Sequence, residues 1–314
     1  MATLVWLVVM VAGTAAIVWG AELFAEHLAA ASDRLGLSAF ALALLLAGAE
    51  PEELATVVSA SARGVDGVAF GDVIGANAAI VTVALGVGAL IAPMPFGRRV
   101  RRYGLGGLAA AAVAGPILWD GRVGRAEGAV LIAGYVAFVA SIWRAERQPP
   151  ALGETAELDE HRTHTGPVGR ELILVLVGLA ALTAGSIALV EGVRRLSGIE
   201  ETQTRLGLVV VGFATAFELV VLAWSAGRRG ITDAVVAGVV GSYAYNLTMS
   251  LGVGALVAPI AVTDAAILRP PFIAMTALLA AALALSTRGD RLDRRSGWIL
   301  IAAYPVFIAV ALTT

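Results

Sequence analysis

The sequence contains no cysteine and no lysine, and it has few charged residues of any kind. The absence of cysteine excludes disulfides, thiol nucleophiles and thiolate metal sites. Only 15% of the 314 residues are charged, whereas 59% are hydrophobic. A soluble domain could not bury that much apolar side chain and still keep a wettable surface. A chain of this composition belongs in a lipid bilayer.

Long apolar segments recur along the whole chain. A helix needs about 20 such residues to cross roughly 30 Å of hydrocarbon, and the segments are too continuous for the alternating pattern of barrel strands. We therefore predict an all-α membrane protein with ten transmembrane helices. The predicted spans are 4–31, 38–62, 65–91, 103–118, 126–142, 170–190, 206–226, 231–257, 271–285 and 298–312.

One long polar segment, 148–169, divides the chain into parts 1–147 and 170–314. It is rich in proline, glycine and acidic residues, which is typical of a solvated linker. All 22 basic residues are arginine, and 15 of them fall on one side of the predicted membrane. Because basic loops stay in the cytoplasm, this bias predicts a cytoplasmic linker and both termini outside. We expect an integral protein of a prokaryotic inner membrane whose first apolar run stays in place, since no basic residue precedes it as in a signal peptide.

An internal repeat organises these spans. Residues 85–93 read LGVGALIAP and residues 251–259 read LGVGALVAP, so the two segments differ at one position and are offset by 166. Five spans lie in each part, and an odd number makes the second copy enter the bilayer upside down. The sequence therefore predicts two inverted-topology five-helix repeats, with the conserved spacing running over about 38–93 and 204–259.

The same offset places Glu52 on Glu218, each within an apolar span. An ionisable residue there is costly to bury and is usually functional. Two carboxylates combined with backbone carbonyls and hydroxyls make an all-oxygen site, which suits hard cations such as calcium. Pro51 has no N–H group and so frees the carbonyl of Ala47, one turn earlier, for such a site. These residues predict a cation site between the two repeats.

Four segments carry a resemblance to a known family. They read AGAEPEELATVVSA and GDVIGANAAIVTVALG in the first repeat, and FATAFELVVLAWSA and AGVVGSYAYNLTMSLG in the second. Their spacing resembles that of the cation/calcium antiporters, which include the sodium/calcium exchangers. Each repeat of that family has a Gly-Thr-Ser-x-Pro-Glu segment followed by a Gly-Ser-Asn segment. The resemblance implies ten spans, the N-terminus outside, and an ion site where spans two, three, seven and eight cross.

The resemblance also implies a function. The chain is expected to exchange calcium for sodium by alternating access, with Glu52 and Glu218 binding the cation. The implied metal ligands are Glu52, Glu218, the carbonyls of Gly48 and Ala214, and the polar side chains of Thr215, Ser242, Asn246 and Asn77. We expect no tightly bound cofactor and no nucleic-acid partner. Calcium, a counter-ion and the lipid bilayer are the expected partners of a chain that works as a monomer.

Several positions depart from the family pattern. Ala49, Ala76 and Ile80 replace polar residues, and Tyr243 replaces an asparagine. A cation stripped of water needs its oxygen ligands replaced, so these changes remove ligands that several sodium ions would require. Proton-coupled antiport of calcium or another divalent cation therefore stays open beside calcium–sodium exchange.

Three further acidic residues lie close to the motifs. Glu50 stands where the family has an apolar residue, and Glu53 follows Glu52 directly. Their spacing of three predicts that Glu50 and Glu53 share one helix face while Glu52 points elsewhere. One of them could then supply a replacement ligand or a proton-carrying carboxylate, or at least one of them would face a water-filled vestibule. Asp72, near the start of a span, is expected at a solvated helix end.

Two other classes of function were weighed. An intramembrane enzyme would need paired aspartates, a serine with a histidine, or spaced histidines inside the spans, and the sequence offers none of these. We therefore expect no enzymatic activity. A non-coupled cation channel or a cation sensor could use the same glutamates, and coupled counter-flow of two ions would distinguish an antiporter from both.

Overall fold

The computed structural model describes residues 2–35, 50–146, 168–229, 232–287 and 289–313, which are almost entirely helical. The helices up to residue 146 are α1 (Ala2–Leu35), α2 (Pro51–Ala62), α3 (Asp66–Ala79), α4 (Leu85–Ile91), α5 (Arg98–Leu118) and α6 (Arg125–Glu146). The helices from residue 168 onward are α7 (Val168–Leu196), α8 (Glu200–Leu206), α9 (Gly212–Thr215), α10 (Phe217–Arg229), α11 (Thr232–Tyr245), α12 (Leu251–Val257), α13 (Arg269–Ser286) and α14 (Arg294–Thr313).

Seven helical stretches in the described part of the chain are long and apolar enough to cross a membrane. They are Thr3–Phe24, Asp66–Ile91, Arg125–Ala145, Val168–Leu196, Glu200–Arg228, Ala265–Ser286 and Arg294–Thr313. The prediction of an all-α membrane protein is confirmed at this level. The predicted spans 38–62, 103–118 and 231–257 are not among the seven, and residues 36–49 and 230–231 lie outside the described ranges.

Helix α5 extends beyond the span predicted within it. The helix begins at Arg98, whereas the apolar run predicts a start at 103. Arginine is a good helix former, and its long side chain can reach from a helix end towards the headgroups. The basic residues at this end therefore extend the helix beyond its apolar segment.

Local structure recurs at the offset of 166. A π-helical segment at Ile80–Ala84 is matched by one at Asn246–Ser250, and seven-residue helices, α4 and α12, follow them. In each π segment a threonine, Thr82 or Thr248, donates a hydrogen bond to the carbonyl four residues earlier. Such π segments insert an extra residue into a helical turn and are frequent at functional sites. The sequence repeat is thus also a repeat of backbone conformation.

Short strands tie the two parts of the chain together. Strand β1 (Met94–Pro95) pairs antiparallel with β4 (Arg291–Leu292), and β2 (Arg122–Val123) pairs antiparallel with β3 (Ile260–Ala261). Because β1 and β3 stand at equivalent positions of the repeat, each part gives one such strand to the other. The two parts are therefore interlocked.

Helices α1 and α7 pack closely through glycines. A Cβ atom on Gly13 would lie 2.9 Å from the carbonyl oxygen of Gly185, and one on Gly20 would lie 2.9 Å from that of Gly178. Residue numbers rise along α1 as they fall along α7, so the two helices run antiparallel. Small residues at these contacts let the backbones approach, as in many transmembrane helix pairs.

Helix α3 crosses the segment around Gly207–Val211 at the centre of the protein. Residues 67–79 of α3 are all buried. A Cβ atom on Gly75 would lie 2.8 Å from the carbonyl carbon of Leu208, and one on Gly212 would lie 2.7 Å from the carbonyl oxygen of Asp72. The two backbones therefore touch directly, and this contact fixes the position of the polar residues on α3.

Candidate cation site

Two helices begin at equivalent positions, and each carries one acid of the predicted pair. Helix α2 begins at Pro51 and α10 begins at Phe217, so Glu52 and Glu218 both lie in a first turn. Glu52 is 1% exposed and Glu218 is 8% exposed. The N-terminus of a helix stabilises negative charge, because its N–H groups and dipole point towards the carboxylate. The two acids occupy equivalent, buried positions at the starts of two helices.

Three carboxyl groups from one segment form a cluster. Glu50, Glu52 and Glu53 each offer a carboxyl oxygen, and these oxygens all lie within 4.8 Å of one another. The three residues are at most 1% exposed, so none faces a water-filled vestibule. The prediction that Glu52 points away from Glu50 and Glu53 is wrong. Glu50 precedes the helix with φ −99° and ψ 77°, so helical spacing does not set the direction of its side chain.

Two hydroxyl groups bind carboxyl groups across helix contacts. Ser242 on α11 donates a hydrogen bond to Oε1 of Glu50. Thr215 on α9 donates one to Oδ1 of Asp72 on α3, at 2.8 Å. All four residues are buried. The predicted ligands Ser242 and Thr215 thus each contact an acid contributed by the other part of the chain.

Asp72 is a site residue that the sequence reasoning missed. It was expected at a solvated helix end, but it is fully buried. One signal could have found it: Asp72 precedes Ala76 by four residues, so the two share a helix face. Ala76 occupies a family ligand position. An acidic side chain one turn from such a position points towards the same site.

The two predicted asparagine ligands bind each other. Nδ2 of Asn246 donates a hydrogen bond to Oδ1 of Asn77 at 3.2 Å, and Nδ2 of Asn77 donates one to the carbonyl of Tyr243 at 3.2 Å. All three residues are buried. Positions 77 and 243 are equivalent under the offset of 166, so equivalent residues of the repeat meet at this point.

The structure brings the predicted ligands together only in part. Asn77 meets Asn246, Ser242 meets Glu50, and Thr215 meets Asp72. Ala214 is half-buried on α9, and Glu218 follows it by one turn without belonging to the three-carboxyl cluster. Gly48, Ala47 and Ala49 lie outside the described residues. The placed ligands come from α2, α3, the α9–α10 segment, and α11 with the π segment that follows it.

A family model decides what kind of protein carries this site. The model described as sodium/calcium exchanger protein matches residues 5–144 and 171–313, which is most of the chain. The chain belongs to this family. Its members are antiporters rather than catalytic enzymes, so the chain is a cation antiporter of the membrane. The resemblance inferred from the four motif segments is confirmed.

Two curated relatives match this exchanger-family chain over nearly its whole length. The putative antiporter CaxA of Alkalimonas amylolytica is 25% identical over 308 residues, which cover 96% of this chain and 97% of the relative. The sodium/calcium exchanger MaX1 of Methanosarcina acetivorans is 24% identical and covers 96% of this chain and 97% of its own length.

Solved exchanger structures share the fold. The sodium-calcium exchanger NCX_Mj soaked with Na+ and Sr2+ matches with a TM-score of 0.63 at 20% identity, covering 98% of this exchanger-family chain and 99% of that one. The same exchanger soaked with zero Na+ and Ca2+ matches with a TM-score of 0.61. The likeness shows that the described part of the chain has the fold of these structures.

Proposed function

We propose that this chain exchanges calcium for sodium by alternating access, with Glu52 and Glu218 as the principal cation ligands. One observation carries the proposal: two buried acids occupy the same position in two helices that begin 166 residues apart. Calcium prefers six to eight oxygen ligands, among which carboxylates are the strongest. The two glutamates provide the charged part of such a set.

The remaining ligands of the proposal are neutral oxygens. They are the backbone carbonyls of Gly48 and Ala214 and the side chains of Thr215, Ser242, Asn246 and Asn77. Four of these six ligands are polar side chains that are fully buried. A hard cation that loses its water needs such oxygens, and their mixture of charged and neutral groups lets it leave again.

The architecture of the proposal is a pair of inverted five-helix repeats with ten spans. The repeats are 1–147 and 170–314, joined by a cytoplasmic linker at 148–169, with both termini outside. Two observations support this architecture. The π segments recur at the offset of 166, and each part of the chain pairs a short strand with the other part. Inverted repeats place a substrate near the midplane and expose it to each side in turn.

Helices α1 and α7 are the moving part in this proposal. They pack on each other through Gly13, Gly20, Gly178 and Gly185, so they can shift together as one pair. Such a shift would open the site to one side of the membrane and close it to the other. The strand pairs β1–β4 and β2–β3 would hold the remaining helices in place.

Proton-coupled exchange is the second candidate. Ala76 and Ile80, which replace polar family ligands, are fully buried on α3 and the π segment after it. The site therefore lacks two oxygens at positions where a sodium ion would need them. Calcium or another divalent cation would then be exchanged for protons.

Transport driven by different gradients tests both candidates. We expect proteoliposomes loaded with sodium to take up radioactive calcium faster than vesicles loaded with an acidic, sodium-free buffer. The control is an ionophore that collapses each gradient. Faster uptake in the acid-loaded vesicles would favour proton coupling instead. Equal calcium entry with neither gradient, accompanied by current, would show a channel and contradict antiport.

A further inference from the structure

Acidic residues are distributed unequally between the two repeats. Glu50 and Glu53 stand where the second repeat has Ala216 and Leu219. Both are fully buried, and with Glu52 they form the cluster whose oxygens lie within 4.8 Å. A site that uses one acid from each repeat does not account for these two additional carboxyl groups.

Buried polar groups on two other helices interact electrostatically with this cluster. Tyr135 on α6 is 1% exposed, its hydroxyl makes no hydrogen bond within the described residues, and it lies within electrostatic range of Glu50. Asp72 on α3 is fully buried, and its Oδ2 also makes no hydrogen bond there. Asp72 lies within electrostatic range of Glu53. Buried polar atoms normally have partners, so a ligand bound beside the cluster would account for both unsatisfied atoms.

We propose that Glu50 and Glu53 are cation ligands themselves and that, with Glu52, they form a carboxylate cage that selects doubly charged over singly charged cations. The proposal rests on the proposed function and deepens it. Three carboxylates at this distance repel strongly in an interior of low dielectric constant. A divalent ion offsets that repulsion better than a monovalent ion of the same size.

The surroundings fix the cage from outside. Ser242 donates a hydrogen bond to one oxygen of Glu50, which holds this carboxyl against α11. Glu53 lies in the first turn of α2, directly after Glu52. The cage would thus provide charged oxygens to a site in which Ala76 and Ile80 replace neutral family ligands. The first repeat would then bind most of the charge of the ion.

Calcium binding to purified full-length protein tests the cage. We expect Glu50→Gln and Glu53→Gln each to weaken calcium binding by about ten- to a hundredfold, the effect of losing one charged ligand. Isothermal titration calorimetry would measure the calcium affinity, with and without sodium as a competitor. The affinity for sodium obtained from this competition should change much less than the affinity for calcium. The control is Glu201→Gln, because this side chain is 53% exposed and pairs with Arg205 at the surface.

Thermal unfolding separates a ligand from a structural role. Without divalent cation, Glu50→Gln should be more stable than the wild type, because repulsion between carboxylates falls. The stabilisation that calcium adds should shrink. A structural role predicts lower stability without calcium and an unchanged calcium effect.

Two results would overturn the cage. If both variants bind calcium with wild-type affinity and sodium competition while Glu52→Gln does not, the cage is wrong and the proposed function stands. If the wild type neither binds calcium nor exchanges it, both are wrong.

Discussion

Calcium exchange should disappear in Glu52→Gln and in Glu218→Gln, and both proteins should stay folded. Glutamine keeps the size of the side chain but removes the negative charge that offsets the cation. Removing one partner of a buried, charged interaction costs several kcal/mol, about 3–5 in measured cases. A loss of that size corresponds to about a hundredfold to several thousandfold in binding. Flux of radioactive calcium in proteoliposomes measures the result.

Both variants should lose exchange, because each one removes the acid that one repeat contributes at the equivalent position. Both acids lie in the first turn of a helix, and both are buried. Glu201→Gln again serves as control, since an exposed ion pair contributes little to stability. Wild-type flux in either glutamate variant would contradict the assignment. Loss in only one variant would show that the site belongs to one repeat alone.

A large part of the fold could be predicted from the sequence because its signals are local. Apolar runs long enough to span a bilayer predict helices, and the segments at 85–93 and 251–259 predict the repeat. The structure then shows that π segments and seven-residue helices recur at the same offset. Backbone conformation follows the local sequence here, so a similar sequence gives a similar structure.

The site could be predicted less well because it depends on contacts distant in the chain. Asp72 looks like the residue of a solvated helix end, and its burial depends on Thr215, 143 residues further on. The clustering of Glu50 with Glu52 depends on backbone angles just before Pro51, which side-chain spacing does not give. The helix break between Thr215 and Phe217 contains no proline that would have predicted it. Tertiary packing determines all three.

The unequal acids give the two repeats different tasks. Glu52 and Glu218 are equivalent and form the symmetric part of the site. The other acids of the first repeat have no acidic equivalent, since the offset of 166 pairs Glu50, Glu53 and Asp72 with Ala216, Leu219 and Gly238. Symmetric ligands suit a protein that presents the same ion to both sides. Additional acids on one side change the charge that the ion meets, which affects selectivity without changing the fold.

Replacing Gly75 by alanine should destabilise the protein and weaken calcium transport together. A Cβ atom there would lie 2.8 Å from the carbonyl carbon of Leu208, so two backbones would have to move apart. Overpacking of this kind costs about 1–3 kcal/mol. We expect a lower unfolding temperature in detergent, and we expect Gly75→Leu to yield no folded protein.

Gly134→Ala is the matched control. Gly134 also lies inside a helix, but a Cβ atom there would meet nothing within 4 Å. Alanine is the better helix former, so this variant should be as stable as the wild type or more stable by up to about 1 kcal/mol. The two glycine-to-alanine changes should therefore shift the free energy of unfolding in opposite directions.

Transport should fall in Gly75→Ala beyond what reduced stability explains. Gly75 lies between Asp72 and Asn77 on α3, whose side chains bond to Thr215 and to Asn246. A shift of α3 away from Leu208 lengthens the Asp72–Thr215 contact, because Thr215 follows Leu208 in the same helical stretch, and it also displaces Asn77. Calcium affinity measured well below the unfolding temperature isolates this effect. Wild-type affinity in a destabilised Gly75→Ala protein would show that the crossing supports the fold without positioning the site.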